Sequence, residues 1–205
     1  RVSVTESIQT RDHTERMLRR MGASVREAVT ADGWEVTLDS PTAELRPLDV
    51  TVPGDFSSAA FFIAYGLLRG GTEGLRILNV GLNPTRTGLL DVFRQMGGRI
   101  EVENERELDD PAGEPAGDLV VYPSALVGGF VGGEAIPLLL DEIPILAVTA
   151  ALAEGVTEIR DAAELRVKES DRIRVLAENL SAIGARVKEL PDGLHIEGRK
   201  ARFSG

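Results

Sequence analysis

The sequence predicts an α/β protein (α+β in the wider sense) assembled from repeated βαβαββ units. Three observations predict it. Three helical segments close alike: Thr10-Arg11 to Met21-Gly22-Ala23, Thr85-Arg86 to Met96-Gly97-Gly98, and Asp171-Arg172 to Ile183-Gly184-Ala185. The Arg-to-Gly spacings are 11, 11 and 12 residues. Each closing Gly suits the residue after a helix end, where positive φ is needed. A further helix and strand precede two of these segments, and Asp-Gly pairs punctuate the β runs. Repetition at this spacing means stacked supersecondary units.

The elements follow in order. The first closing helix has Thr10 as a candidate cap, and β-like residues 24–26 follow it. Asp32-Gly33 is a hairpin signal leading to a strand over Trp34–Leu38. This first unit, residues 1–46, is expected to lack its front half, with the missing helix before Arg1. Residues 41–53 read as a Pro-containing connection, a hinge or domain boundary. Asp55-Phe-Ser-Ser58 starts a helix that runs to about Arg69, with Asp55 as its cap, and a strand over Leu75–Asn79 follows. Asn83-Pro84 predicts an N-cap with Pro at the first helical position. A strand over 99–103 comes next, then an acidic Pro/Gly-rich loop over 108–117. The second unit spans about 48–117 and the third 118–205. Asp141-Glu-Ile-Pro144 opens a helix that ends near Gly155, before a strand over 157–160. After Arg172 the apolar positions Ile173, Leu176, Leu180 and Ile183 form one buried stripe. Strands over 186–190 and 194–197 flank Asp192-Gly193.

Composition narrows the function. Hydrophobic residues make up 42% and charged residues 27%, as in an ordinary globular protein. No apolar run reaches the length of about 18 residues that a membrane helix needs. With no signal-peptide pattern at its start, the protein is expected in the cytoplasm. The 23 basic and 33 acidic side chains leave a net charge of −10, which disfavours nucleic-acid binding. The absence of Cys excludes disulfides and thiolate chemistry, and two His residues, His13 and His195, argue against a His-rich metal site. The chain begins at Arg1 and ends just after a strand-like run, so it is expected to be a fragment of a longer protein.

The chemistry centres on Arg166-Val-Lys-Glu-Ser-Asp-Arg172. Two cations facing one anion is how phosphates and carboxylates are held, Arg by a bidentate fork and Lys as a point charge. The cations lower the pKa of a carboxylate between them, and an anionic ligand offsets that and frees the group for proton transfer. The same residues could simply be a salt-bridged helix start, and composition leaves both readings open. The repeated Arg11, Arg86 and Arg172 sit where a helix dipole already favours anions. Cations there cost some stability, which hints at function; solvated surface charges are the plain alternative. Asp141 reads first as an N-cap. His13 is expected to be solvated, and Trp34, Tyr65 and Tyr122 to be packing residues.

Leu165-Arg-Val-Lys-Glu-Ser-Asp-Arg-Ile173 resembles a signature of the 5-enolpyruvylshikimate-3-phosphate synthase (3-phosphoshikimate 1-carboxyvinyltransferase) family. Four other segments resemble it in the same order: Thr10-Arg-Asp-His-Thr-Glu15, Pro53-Gly-Asp-Phe-Ser-Ser58, Leu82-Asn-Pro-Thr-Arg-Thr-Gly88 and Asp141-Glu-Ile-Pro-Ile-Leu-Ala147. The first and last of these four are most similar to the glyphosate-insensitive class II form. The resemblance implies the enolpyruvyl transferase fold, six βαβαββ units in two domains, each an inverted α/β barrel. Residues 1–46 would close the first domain, 47–53 would form the linker, and 54–205 would supply two repeats of the second. The implied reaction moves the carboxyvinyl group of phosphoenolpyruvate to the 5-hydroxyl of shikimate 3-phosphate, without a metal or organic cofactor. By motif match Asp141 is implied as proton acceptor, Glu169 as proton donor, Lys168 and Arg11 as contacts of shikimate 3-phosphate, and Arg172 as the holder of phosphoenolpyruvate. The whole enzyme is expected to be a monomer, with neither nucleic acid nor membrane as a partner. Several phosphoenolpyruvate-binding Lys and Arg segments of the family have no counterpart here, so the chain is expected to be inactive alone. The rivals are the related UDP-N-acetylglucosamine carboxyvinyl transferase and a non-catalytic anion-binding module.

Overall fold

The computed structural model describes residues 1–39, 44–107 and 113–198. The repeat is visible as three sheets with one strand order. In the first unit β1 (Val2–Glu6), α1 (His13–Arg20), β2 (Val25–Thr30) and β3 (Gly33–Leu38) form a sheet ordered β1-β3-β2. In the second, α2 (Phe56–Arg69) precedes β4 (Leu75–Gly81), α3 (Gly88–Gln95), β5 (Arg99–Glu107) and β6 (Pro115–Tyr122), ordered β4-β6-β5. In the third, β7 (Phe130–Val131) and α4 (Ile143–Leu152) precede β8 (Gly155–Ile159), α5 (Arg172–Ala182), β9 (Arg186–Leu190) and β10 (Gly193–Gly198), ordered β7-β8-β10-β9. The last strand of each unit lies between the two that precede it in the chain and is antiparallel to both, which makes these three strands a split β-α-β. The three closing glycines all adopt the left-handed conformation, with φ of 91° at Gly22, 93° at Gly97 and 90° at Gly184.

Several expectations change. β1 is a strand that the sequence pattern did not reveal. Residues 115–117 belong to β6, whose pairing with β4 and β5 carries the second unit to Tyr122; residues 108–112 of the expected loop lie outside the described residues, as do residues 41–43 of the connection and the end of the chain from residue 199. In place of a full strand before α2 there is a single parallel bridge between Gly54 and Val80. Asn83-Pro84 begins a tight turn and not a helix: the Asn83 carbonyl accepts from Arg86 N at 2.8 Å, and α3 starts only at Gly88. Thr10 does not cap α1, because its hydroxyl donates to Glu6 Oε2 at 2.5 Å. Ile183 lies beyond the end of α5 and is 61% exposed, and Ala177 completes the buried stripe instead.

The core explains which units are held firmly. Its residues all lie between Phe56 and Ile196. Small side chains at Ala59, Ala60 and Ala64 let α2 approach α4, whose Ala147, Ala150 and Ala151 are likewise buried. Leu67, Leu146, Ile173 and Leu180 fill the layer between helices and sheets. α1 buries no residue, so the first unit rests on its sheet and on polar links to the second. Tyr65, expected to pack, is 58% exposed on α2, while Tyr122 carries Arg99 over its ring at 3.9 Å. No described helix is long and apolar enough to cross a membrane.

Candidate active site

Each unit presents one end of a helix to a common cleft. α5 begins cleanly because Asp171 accepts from Arg174 N at 3.0 Å. Just before it, Arg166 staples the segment down, donating to the Leu190 and Pro191 carbonyls at 2.5 Å and pairing with Asp171 at 2.9 Å and Glu189 at 2.8 Å. Arg166 and Asp171 are therefore structural. Lys168 and Glu169 between them, and Arg172 at the start of α5, face a cavity of about 360 Å³. Thr10, Arg11 and Asp141 line the same cavity. The five residues singled out by motif meet in one place although they span 162 positions of sequence, from Arg11 to Arg172.

Asp141 stands at the centre. It lies in a 3₁₀ turn, Leu140–Glu142, that leads into α4, with Pro144 in the first helical turn as expected. Its side chain caps nothing. Instead three guanidinium groups surround it. Arg11 hydrogen-bonds to Oδ2, Arg86 Nη1 lies 3.4 Å from the same oxygen, and Arg172 Nη1 lies 3.6 Å from Oδ1. These are the three arginines of the repeat, one from each unit. Burial pushes the Asp141 carboxyl up, but hydrogen bonds and charge from Arg11 and Arg86 outweigh it and hold the group below the ordinary Asp range. Glu169 is 80% exposed and bonded to Arg172 Nη2 at 2.7 Å. Its own backbone N–H, then Arg172, hold it below the usual Glu range. Lys168 pairs with Glu164.

Beneath Asp141 the sequence reading missed a second layer. Arg86 Nη2 donates to Ser57 Oγ at 2.6 Å, and Ser57 donates to Glu142 Oε1 at 2.5 Å. Glu142 lies 3.6 Å from Arg86, is 2% exposed, and leaves Oε2 without a partner. Burial pushes its carboxyl above the ordinary range against the pull of Ser57 and Arg86. The signal that could have found this layer was a carboxylate one place after Asp141 in an otherwise apolar run.

A polar cluster joins the first unit to the second. Asn83 Nδ2 donates to Asp12 Oδ1 at 2.6 Å and Glu114 Oε2 at 2.9 Å, and His13 Nδ1 lies 2.6 Å from Glu114 Oε1. His13 is exposed, as expected, and its ring also contacts Glu114. The cluster borders a second cavity of about 310 Å³, which Arg86 also lines. Nothing in local sequence connects Asp12, Asn83 and Glu114; only the fold brings them together.

Comparison with known proteins identifies the family. A family model described as EPSP synthase (3-phosphoshikimate 1-carboxyvinyltransferase) matches residues 1–205. A 3-phosphoshikimate 1-carboxyvinyltransferase of Desulfitobacterium hafniense (strain DSM 10664 / DCB-2) is 52% identical over 202 residues, which cover 98% of this chain and 44% of that protein. One of Synechococcus sp. (strain RCC307) is 53% identical over 196 residues, covering 96% and 44%. The solved EPSP synthase of Acinetobacter baumannii superposes with a TM-score of 0.81 at 42% identity, covering 96% of this chain and 42% of that one. The enolpyruvyl transferase NikO of Streptomyces tendae, at 23% identity and a TM-score of 0.64, shares the fold. The chain thus spans less than half the length of the curated relatives it matches.

Proposed function

The chain belongs to the EPSP synthase (3-phosphoshikimate 1-carboxyvinyltransferase) family, and on that premise we propose that it supplies one wall of an active site that transfers the carboxyvinyl group of phosphoenolpyruvate to the 5-hydroxyl of shikimate 3-phosphate. The convergence of Arg11, Arg86 and Arg172 on Asp141 carries this reading. In a chain of net charge −10, the guanidinium groups of Arg11 and Arg172 and the ammonium of Lys168 collected around one cavity are a place built for anions. Both substrates are polyanions.

The order of events follows from charge. Shikimate 3-phosphate engages Arg11 and Lys168, and phosphoenolpyruvate engages Arg172. Asp141 then loses part of the cationic field that holds its pKa down and becomes a better base for the 5-hydroxyl proton. Arg172, turned to phosphoenolpyruvate, releases Glu169, which can carry a proton to the vinyl carbon. Addition forms a tetrahedral intermediate; loss of phosphate and return of a proton from the former vinyl carbon regenerate the double bond. The cations that would complete the phosphoenolpyruvate site are expected in sequence beyond these residues. Residues 1–46 and 54–205 would then belong to two domains that meet across the cleft, joined at 47–53. A cytoplasmic location and a monomeric whole protein go with this reading.

Calorimetry on the 205-residue chain tests it, with a phosphate-release assay beside it. Weak binding of shikimate 3-phosphate without turnover is the expected result. Arg11→Gln and Lys168→Gln each remove a charged hydrogen bond of roughly 1.5–3 kcal/mol and should weaken binding about tenfold or more. Equal affinity for inorganic sulfate would instead favour a plain anion-binding module, and preference for UDP-N-acetylglucosamine the related transferase. Ready turnover by the chain alone would overturn the half-site reading.

A further inference from the structure

The three arginines around Asp141 are equivalent in the repeat but not in their surroundings. The Arg11 side chain is 49% exposed and that of Arg172 is 30% exposed, whereas Arg86 is 13% exposed. Arg172 has a second partner in Glu169, itself 80% exposed. Arg86 is anchored from behind. One nitrogen, Nη2, donates to Ser57 at 2.6 Å and faces Glu142 at 3.6 Å; the other, Nη1, faces Asp141 at 3.4 Å. Ser57 lies in the first turn of α2 and Glu142 in the turn before α4, two helices that pack on each other in the core. The anchor is therefore part of the rigid body of the molecule.

We propose that Arg86 is a positioning residue for Asp141, the fixed member of the three arginines, with Ser57 and Glu142 as its rear anchor. Anionic ligands draw Arg11 and Arg172 away from Asp141. A carboxylate left with no partner would rotate and lose its aim. Arg86 stays, because its guanidinium is committed on the far side and has little surface left to offer. The Glu142 carboxylate offsets the charge of Arg86, so Asp141 is held in place without carrying the full field of a free cation. The buried Glu142, an awkward residue for a core, has a use in this arrangement. The groups facing Asp141 are Arg11, Arg86, Arg172 and, one residue along, Glu142.

The proposal deepens the reading of Asp141 as proton acceptor, and its tests separate the two. The first needs no ligand. Arg11→Gln/Arg172→Gln removes both mobile arginines, and carboxyl ¹³C NMR follows the titration of Asp141 in the 205-residue chain. Adding Arg86→Gln should raise the midpoint by about half a unit or more; Arg86→Lys should restore part of it and Ser57→Ala should lie between. An unmoved midpoint on adding Arg86→Gln would overturn the proposal whatever the protein catalyses.

The second test uses turnover by the full-length protein. Arg86→Gln should lower kcat at least tenfold with KM for both substrates within about twofold, and Arg86→Lys should recover part of the loss. A rise in KM for shikimate 3-phosphate at unchanged kcat would make Arg86 a ligand-binding cation and overturn its positioning role. Should Arg86→Gln fail to fold, Arg86→Lys and Ser57→Ala decide by the same criteria. Absence of turnover in the unaltered full-length protein would sink the functional reading and leave the NMR result standing.

Discussion

Glu142 shows how one atom group ties stability to function. Its carboxyl is buried against Ser57, Arg86 and Asp141, and burial raises its pKa. A group whose folded pKa is raised binds its proton more tightly in the folded state. Its contribution to stability is present below the unfolded-state pKa and is lost as pH climbs through the folded value. Denaturation of the unaltered chain should thus show a stability loss between the ordinary Glu range and the raised value. Glu142→Gln should flatten that part of the profile and leave neutral-pH stability equal or higher. Identical profiles for the two proteins would refute the link. The same residue marks a limit of sequence reading: Asp141 and Glu142 are adjacent acids, and only the direction each side chain takes from its 3₁₀ turn sends one to the cavity and buries the other.

Among the elements, the quality of the helix starts is testable. Asp55 caps α2 by accepting from Ser58 N at 2.7 Å, so Asp55→Ala should cost about 1 kcal/mol in urea denaturation. α3 begins at Gly88, where an added Cβ would come within 2.7 Å of Leu138 Cβ. Leu138 belongs to a 3₁₀ turn, Gly133–Leu138, close to Asp141 in sequence. Gly88→Ala should lower stability by about 1–3 kcal/mol, because neither backbone can withdraw without moving the core. A substitution within 0.5 kcal/mol of neutral would show that the contact gives way. The repeat was legible at this scale because helix ends, Asp-Gly turns and closing glycines are local signals. Helix beginnings were less so: Asn83-Pro84 has the composition of a helix start, yet Arg86 is delivered by a tight turn.

At the scale of the whole molecule, the units differ in how they are held. The core draws on residues from Phe56 onward, while the first sheet leaves Val2, Val4 and Val29 exposed by 58–80%. Backbone amides of β1–β3 should therefore exchange with solvent markedly faster than those of β4–β6 and β8–β10 in hydrogen-exchange measurements on this chain. Uniform protection across the three sheets would contradict this. What the sequence determined by itself was the set of parts: the βαβαββ repeat, the closing glycines, the cap at Asp55, and the motif residues Arg11, Asp141, Lys168, Glu169 and Arg172. Those features depend on local conformation or on residue type, which the chain carries wherever it folds. Only the tertiary structure decided that the repeated arginines meet on Asp141, that Arg86 is fixed from behind by Ser57 and Glu142, and that Asp12, Asn83 and Glu114 bind the first unit to the second. Such contacts link positions far apart in the chain, and their partners are chosen by the packing of whole units, which no stretch of sequence encodes alone.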